Sequence, residues 1–166
     1  LDPSSIRQII ILLILLLLSA FFSSAETALT TVNKHRMRAL ANQGNKKAAR
    51  VLSMIEKPEK MLSAILIGNN IVNLTASSLT TTLAMSLATQ AGLGKSSSTF
   101  VGIATGILTF LILIFGEITP KTIATMKNES MALVYSGIIY TITTILTPVI
   151  YVVNLFSGQI GRASCR

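Results

Sequence analysis

The sequence predicts an all-α integral membrane protein. Hydrophobic residues make up 51% of the 166 positions, and charged residues make up only 12%. The apolar residues form runs long enough to cross a bilayer, which takes about 20 helical residues. We expect three transmembrane helices, a kinked juxtamembrane helix and a short cytoplasmic helical pair, assembled as a homodimer. A soluble helical bundle is disfavoured because Ser19 is the single polar residue in the run 9–22.

The first apolar segment, about residues 4–29, carries a polar face. Ser19 and Ser23 lie four positions apart, and Glu26 follows three positions later. Their side chains therefore share one side of a helix. The opposite side is Leu and Ile, and it is expected to meet lipid. A cleaved signal peptide is the alternative for this run, but no small-x-small cleavage pattern followed by a polar mature domain is visible.

A basic loop, residues 33–60, follows this segment. It carries eight lysines and arginines against two glutamates, and Gly44 divides it into two short helices at about 34–42 and 46–56. Loops rich in basic residues stay on the cytoplasmic side of a membrane. A nucleic-acid patch is the alternative. It is disfavoured because the loop contains no Phe, Tyr or Trp, so we expect no nucleic-acid partner.

The second and third segments, about 61–89 and 99–119, carry small and hydroxyl residues. The second segment is longer than the hydrocarbon core, so it must tilt, break or extend beyond the lipid. The stretch Gly68–Asn73 is its expected irregular point. Hydroxyl residues at 75–82, and two glycines four positions apart in the third segment, allow helices to approach closely. These surfaces predict a symmetric homodimer.

The fourth segment, about residues 130–156, is the ambiguous one. A fourth span would place the C-terminus outside, and Pro148 interrupts the segment. We therefore favour a kinked, half-inserted helix that returns to the cytoplasm. Leu1 and Lys95 are then expected on the outer side of the membrane.

Glu117 ends the third segment and is followed by Ile-Thr-Pro120-Lys121. A carboxylate at membrane depth is costly and usually functional. Pro120 has no N–H to bond the carbonyl of Gly116, four positions earlier. A freed carbonyl beside a carboxylate suits a hard cation. The alternative is a glutamate that caps a helix end in cytoplasmic water.

Oxygen-bearing groups on three segments reach a similar depth if these segments pack antiparallel. Such oxygens suit Mg²⁺ or Na⁺ rather than a soft metal. The candidate metal ligands are Ser19, Ser23, Asn70, Gly116 and Glu117. Each of these residues also has an ordinary structural role. Ser19 and Ser23 could donate hydrogen bonds to carbonyls of their own helix, and Asn70 could hold neighbouring helices together. Candidates for a second cation contact or a gate are Glu26, Asn73 and Lys121.

Other features narrow the class of function. One cysteine, Cys165, excludes an internal disulfide, and one histidine, His35, excludes a His-rich metal site. No nucleotide-binding glycine loop, HExxH or Gly-x-Ser-x-Gly motif is visible, so we expect no enzymatic activity.

We expect one domain over residues 1–160, with 161–166 as a frayed tail or a scar of cloning. The start at a residue other than Met suggests that a larger protein supplied the domain.

Three separated motifs resemble the signatures of the transmembrane (DUF21-type) domain of the CorC/cyclin M (CNNM) magnesium transporter family. They are Ser19-Ala-Phe-Phe-Ser-Ser-Ala-Glu26-Thr27-Ala28-Leu29, Gly68-Asn69-Asn70-Ile-Val-Asn73 and Gly116-Glu117-Ile-Thr-Pro120-Lys121. The resemblance covers nearly the whole chain, to about Phe156. It implies a multi-pass homodimer of the plasma membrane with three spans, a belt-like juxtamembrane helix, an outward N-terminus and a cytoplasmic C-terminus.

The resemblance also implies Na⁺-dependent Mg²⁺ export, with Mg²⁺ as the transported ion and Na⁺ as the coupling ion. The family's ligand roles carry over to Ser19, Ser23, Asn70, the Gly116 carbonyl and Glu117. The family's cytoplasmic CBS pair, which binds ATP, is expected in the full-length protein. The alternative function is a non-transporting membrane scaffold or a regulator of another magnesium channel. A scaffold would need Glu117 only as a hydrogen-bond partner.

Overall fold

The computed structural model describes the backbone of residues 3–92 and 97–163. It describes the side chains of these residues up to residue 152, except that of Ser97. Predictions for Leu1, Lys95 and residues 164–166 therefore lie outside the described residues. The described elements are all helical. In chain order they are α1 (Pro3–Thr31), α2 (Lys34–Asn42), α3 (Lys46–Ile55), α4 (Pro58–Gln90), α5 (Ser97–Leu111), a π-helical segment (Ile112–Ile118), α6 (Thr119–Met126) and α7 (Asn128–Ala163).

Four helical stretches are long and apolar enough to cross a membrane. They are Pro3–Thr31, Pro58–Gln90, Ser98–Met126 and Asn128–Val152. This confirms the all-α architecture and its membrane-type helices. Length and composition admit the fourth stretch as well as the first three, so the count of three spans stays a prediction.

The short helical pair of the basic loop forms as predicted. The Asn33 side chain accepts hydrogen bonds from the backbone N–H groups of the first turn of α2, and Asn45 does the same for α3. Such side chains satisfy donors that have no partner within the helix. Gly44 separates the two helices with a φ of +88°, a conformation that favours glycine.

Helix α4 runs from Pro58 to Gln90 without interruption, so the irregular point expected at Gly68–Asn73 is wrong. Gly68 serves close packing instead. A Cβ atom at this position would lie 2.6 Å from the Phe22 ring on α1. With 33 residues, α4 is about 50 Å long and exceeds the hydrocarbon core of about 30 Å.

The chain divides into two compact units, and the first contains residues of Leu1–Ser24 and Gly68–Met126. In this unit α1 and α4 pack antiparallel. Three contacts, in order along α1, are Ser5 with Gln90, Ser19 with Asn73, and Phe22 with Gly68. An apolar cavity of about 180 Å³ is lined by Leu16 of α1 and by Ile112 of the π segment.

The second unit contains residues of Ala25–Ile67 and Lys127–Arg166. Helix α3 packs along α7 and buries Val51 and Met54. An ion pair of 2.9 Å joins Arg36 Nε to Glu129 at the start of α7. Pro148 lies inside α7, which continues beyond it to Ala163 and so includes the first residues of the predicted tail.

Candidate cation site

The third segment changes from an α-helix to a π-helix near its end. Residues Ile112–Ile118 form a π-helix, and the Thr119 N–H bonds to the Ile114 carbonyl five residues back. Pro120 follows in the first turn of α6, where a missing N–H is tolerated. The disturbance predicted from Pro120 therefore takes the form of a π turn rather than a broken helix. Such turns are rare and frequent at functional sites.

Ser19 is the centre of the oxygen cluster. Its side chain is only 2% exposed, and its hydroxyl donates a 2.8 Å hydrogen bond to Asn73 Oδ1. The Gly116 carbonyl oxygen lies 3.4 Å from the same hydroxyl. One hydroxyl carries a single hydrogen, so it cannot fully serve both acceptors. Its hydrogen therefore serves Asn73 Oδ1, at the shorter distance, better than the Gly116 carbonyl.

Gly116 reaches the cluster because it has no side chain. A Cβ atom there would lie 3.1 Å from Ser19 Oγ and 3.2 Å from Leu16 Cδ1. The glycine thus brings its backbone against α1. This contact brings the Gly116 carbonyl, one of the predicted cation ligands, beside the Ser19 hydroxyl.

Asn73 joins the cluster, whereas Asn70 does not. The Asn70 residue is exposed, and three positions separate it from Asn73. Asn69 lies one helical turn before Asn73 and shares its face. Its Oδ1 is buried and accepts no hydrogen bond from the described residues. Sequence reasoning gave Asn73 only a secondary role and missed Asn69, although their four-residue spacing was the available signal.

Glu117 lies beside the cluster and contacts a cation of the protein itself. Its carboxylate is 3.3 Å from Lys121 Nζ, one turn along the chain. Its side chain is 36% exposed, so the pair is partly solvated. The Gly116 backbone therefore faces Ser19 while the adjacent carboxylate contacts Lys121.

The remaining predicted residues lie on α1. Ser23 is fully buried one turn after Ser19, on the same face of the helix. Glu26 is partly buried and belongs to the second unit. Among the described residues, no group of three or more His, Cys, Asp and Glu side chains is placed to hold a metal. The oxygens gathered at Ser19 come from a hydroxyl, an amide and a backbone carbonyl.

Comparison with known families decides the identity of the domain. The family model described as the cyclin M transmembrane N-terminal domain matches residues 10–163. The chain belongs to this family. The match spans all three motifs noted in the sequence, including the Ser19 cluster. This cyclin M domain is therefore a multi-pass membrane domain.

Curated relatives share most of the chain. A UPF0053 protein of Haemophilus influenzae is 45% identical over 83% of the chain, and the UPF0053 inner membrane protein YfjD of Escherichia coli is 40% identical over 84%. A chloroplastic DUF21 domain-containing protein of Arabidopsis thaliana is 36% identical over 81%. The cyclin M domain spans 31% of each bacterial relative and 19% of the plant one.

Proposed function

We propose that this cyclin M domain is the membrane part of a Na⁺-dependent Mg²⁺ transporter of the plasma membrane that works as an exporter. The observation that carries the proposal is the meeting of Ser19 Oγ, Asn73 Oδ1 and the Gly116 carbonyl from three segments. Polar groups inside a membrane domain are costly and commonly mark ion pathways. The direction of transport and the coupling to Na⁺ rest on the family resemblance.

The spacing of the oxygens suits a small divalent cation. Mg²⁺ binds oxygens at about 2.1 Å in an octahedron, so neighbouring ligands lie about 3.0 Å apart. The distances from Ser19 Oγ to the other two oxygens, 2.8 and 3.4 Å, lie on either side of that value. Asn69 Oδ1 supplies a further buried acceptor on the same face of α4. Waters would complete the shell, since Mg²⁺ gives up its hydration reluctantly.

Two local changes would turn this cluster into a binding site. The Ser19 hydroxyl would turn its hydrogen away from Asn73, so that both oxygens face the ion. The Glu117 carboxylate would leave Lys121 and move to the cation. One carboxylate opposes only half the charge of Mg²⁺, which favours release, as a transporter requires.

Reconstituted flux tests the proposal. Mg²⁺ efflux from liposomes that contain the domain should require an opposing Na⁺ gradient. Liposomes with a Ser19→Ala variant, which keeps the helix but lacks the central oxygen, should show little flux. Equal flux with and without Na⁺ would remove the exchange mechanism, and equal flux in the variant would move the pathway away from this cluster.

A scaffold that does not transport is the second candidate. The hydrogen bond from Ser19 to Asn73 joins α1 to α4 and would serve packing alone. The pairing of Glu117 with Lys121 likewise gives the carboxylate a role that needs no ion. The scaffold function predicts an intact fold and no Mg²⁺ flux under any gradient.

We propose three spans, with α7 in the cytoplasmic membrane interface. The proposal is supported by the packing of α7 along α3, a short helix that carries Lys46, Lys47 and Arg50. A helix that crossed the bilayer could not keep its middle beside such a basic helix. Labelling of a cysteine at position 164, in a Cys165→Ser background, should occur from the cytoplasmic side; labelling from outside would establish a fourth span.

The homodimer is proposed on the exposed faces of α4 and α5. Thr75, Ser78 and Thr82 are exposed on one side of α4. On α5, a Cβ atom added at Gly102 or Gly106 would meet no other atom within 4 Å. Small residues at such faces let helices of two copies pack closely. Ser78→Cys in a Cys165→Ser background should crosslink, and Leu17→Cys on exposed α1 should not.

A further inference from the structure

A cleft in the second unit is separate from the Ser19 cluster. It has a volume of about 220 Å³ and lies between the end of α3, the start of α4 and the middle of α7. Lys57 and Lys60 line it from the α3–α4 side, and Tyr140 lines it from α7. Met54 and Met61, which are 4% and 2% exposed, provide apolar surface within it.

The two lysines of the cleft are available for an anion. Neither ammonium group forms an ion pair with a described residue, while the neighbouring Glu56 is paired with Arg38 at 3.6 Å. Glu56 and Glu59 line an adjoining cavity at the α3–α4 turn, which the two lysines also line, and neither glutamate lines this cleft. The first turn of α4, which carries Lys60, adds the positive end of a helix dipole. The cleft is therefore electropositive on this side.

The wall of the cleft formed by α7 supplies hydrogen-bond acceptors. The hydroxyls of Thr143, Thr144 and Thr147 each donate a 2.8 Å hydrogen bond to a carbonyl of their own helix. Their hydrogens are used, so their oxygens can only accept. This wall suits a ligand that itself carries hydroxyl donors, and the lysine side suits a phosphate.

We propose that this cleft binds the headgroup of an anionic phospholipid whose phosphodiester carries a polyhydroxyl group, as in phosphatidylglycerol. Lys57 and Lys60 would bind the phosphate, and the threonine oxygens would accept from the headgroup hydroxyls. Helices α4 and α7, which form two walls, are both apolar enough to lie in a membrane. Basic pockets beside membrane helices on the cytoplasmic side are known to recognise anionic headgroups. This site requires no transport activity.

Lipid binding to the purified domain in neutral detergent tests the proposal. Native mass spectrometry would give the Kd of dioctanoyl phosphatidylglycerol for the parent and for Lys57→Gln/Lys60→Gln. Each basic residue near an anionic lipid contributes about fivefold, so the double variant should bind roughly thirtyfold more weakly. Lys46→Gln/Lys47→Gln removes the same charge from exposed positions outside the cleft and should bind like the parent.

A second variant and two other ligands complete the test. Ser53→Asp adds a negative charge to the cleft without removing a lysine, and it should also weaken binding. Dioctanoyl phosphatidylcholine should bind weakly, and inorganic phosphate should fail to displace the anionic lipid. The proposal is overturned if the two lysine pairs have equal effects, if the neutral lipid binds equally well, or if free phosphate competes as well as the lipid does.

Discussion

Ser19 on α1 donates a 2.8 Å hydrogen bond to Asn73 Oδ1 on α4, and the two residues are 54 positions apart in sequence. The same hydroxyl lies 3.4 Å from the Gly116 carbonyl at the π turn. One buried side chain thus joins the three parts of the first unit at a single level. Its oxygen can remain a packing contact or become a ligand, and the two outcomes differ in measurable ways.

Gly68→Ala should destabilise the packing of α1 on α4. The new methyl group would lie 2.6 Å from the Phe22 ring, which must move. Overpacking of this kind costs about 1–3 kcal/mol, and the helix preference of alanine over glycine returns about 1 kcal/mol. A lower thermal unfolding temperature in detergent is the expected result.

Phe22→Leu provides the control for this substitution. The smaller side chain should relieve the clash, so the double variant should recover part of the stability that Gly68→Ala loses. If the two changes are simply additive, the glycine does not serve the approach to Phe22.

Asn73→Ala should weaken Mg²⁺ binding more than Asn70→Ala. Asn73 Oδ1 contacts Ser19, whereas Asn70 is exposed and forms no hydrogen bond to Ser19. Loss of one neutral oxygen ligand should raise the Kd about tenfold, and the exposed asparagine should matter less than about twofold. Calorimetric titration of both variants gives the comparison. A larger effect at Asn70 would restore it as the ligand from α4.

The sequence was sufficient for the helices but not for the choice among neighbouring asparagines. Apolar runs, basic residues and Gly44 predicted the helices and the short pair, because these signals are local. The face that Asn70 or Asn73 presents depends on how α4 packs against α1. Gly68 was expected to interrupt its helix, since its contact with Phe22 involves a residue 46 positions away in sequence, and no local pattern reveals such a contact.

The end of the third segment shows the same limit in another form. Pro120 predicted a broken helix at Gly116, and the structure has a π turn there instead. The pairing of Glu117 with Lys121 was visible in principle, as oppositely charged residues four positions apart are neighbours on a helix. The sequence could not decide whether the carboxylate contacts Lys121 or the oxygen cluster, because that depends on how the third segment packs against α1.

Lys121→Gln should tighten Mg²⁺ binding. The substitution removes the partner that holds Glu117 at 3.3 Å and also removes a positive charge near the cation. A partly solvated ion pair contributes up to about 1 kcal/mol, so the Kd should fall about fivefold. Lys127→Gln, at an exposed position beyond α6, is the matched control and should leave the Kd unchanged. Weaker binding in Lys121→Gln would mean that the lysine positions the carboxylate rather than competing with the ion.

The most direct test of the cation site is calorimetric Mg²⁺ titration of the parent domain and Glu117→Gln. The amide keeps the size and hydrogen bonding of the side chain but removes its charge, which at 4 Å from a divalent ion is worth several kcal/mol even at an effective dielectric of about 20. Glu59→Gln makes the same change at an exposed position at the start of α4 and should bind like the parent. We predict no detectable Mg²⁺ binding in Glu117→Gln, with the folded protein intact. Parent-like binding in that variant would contradict the account and favour the scaffold.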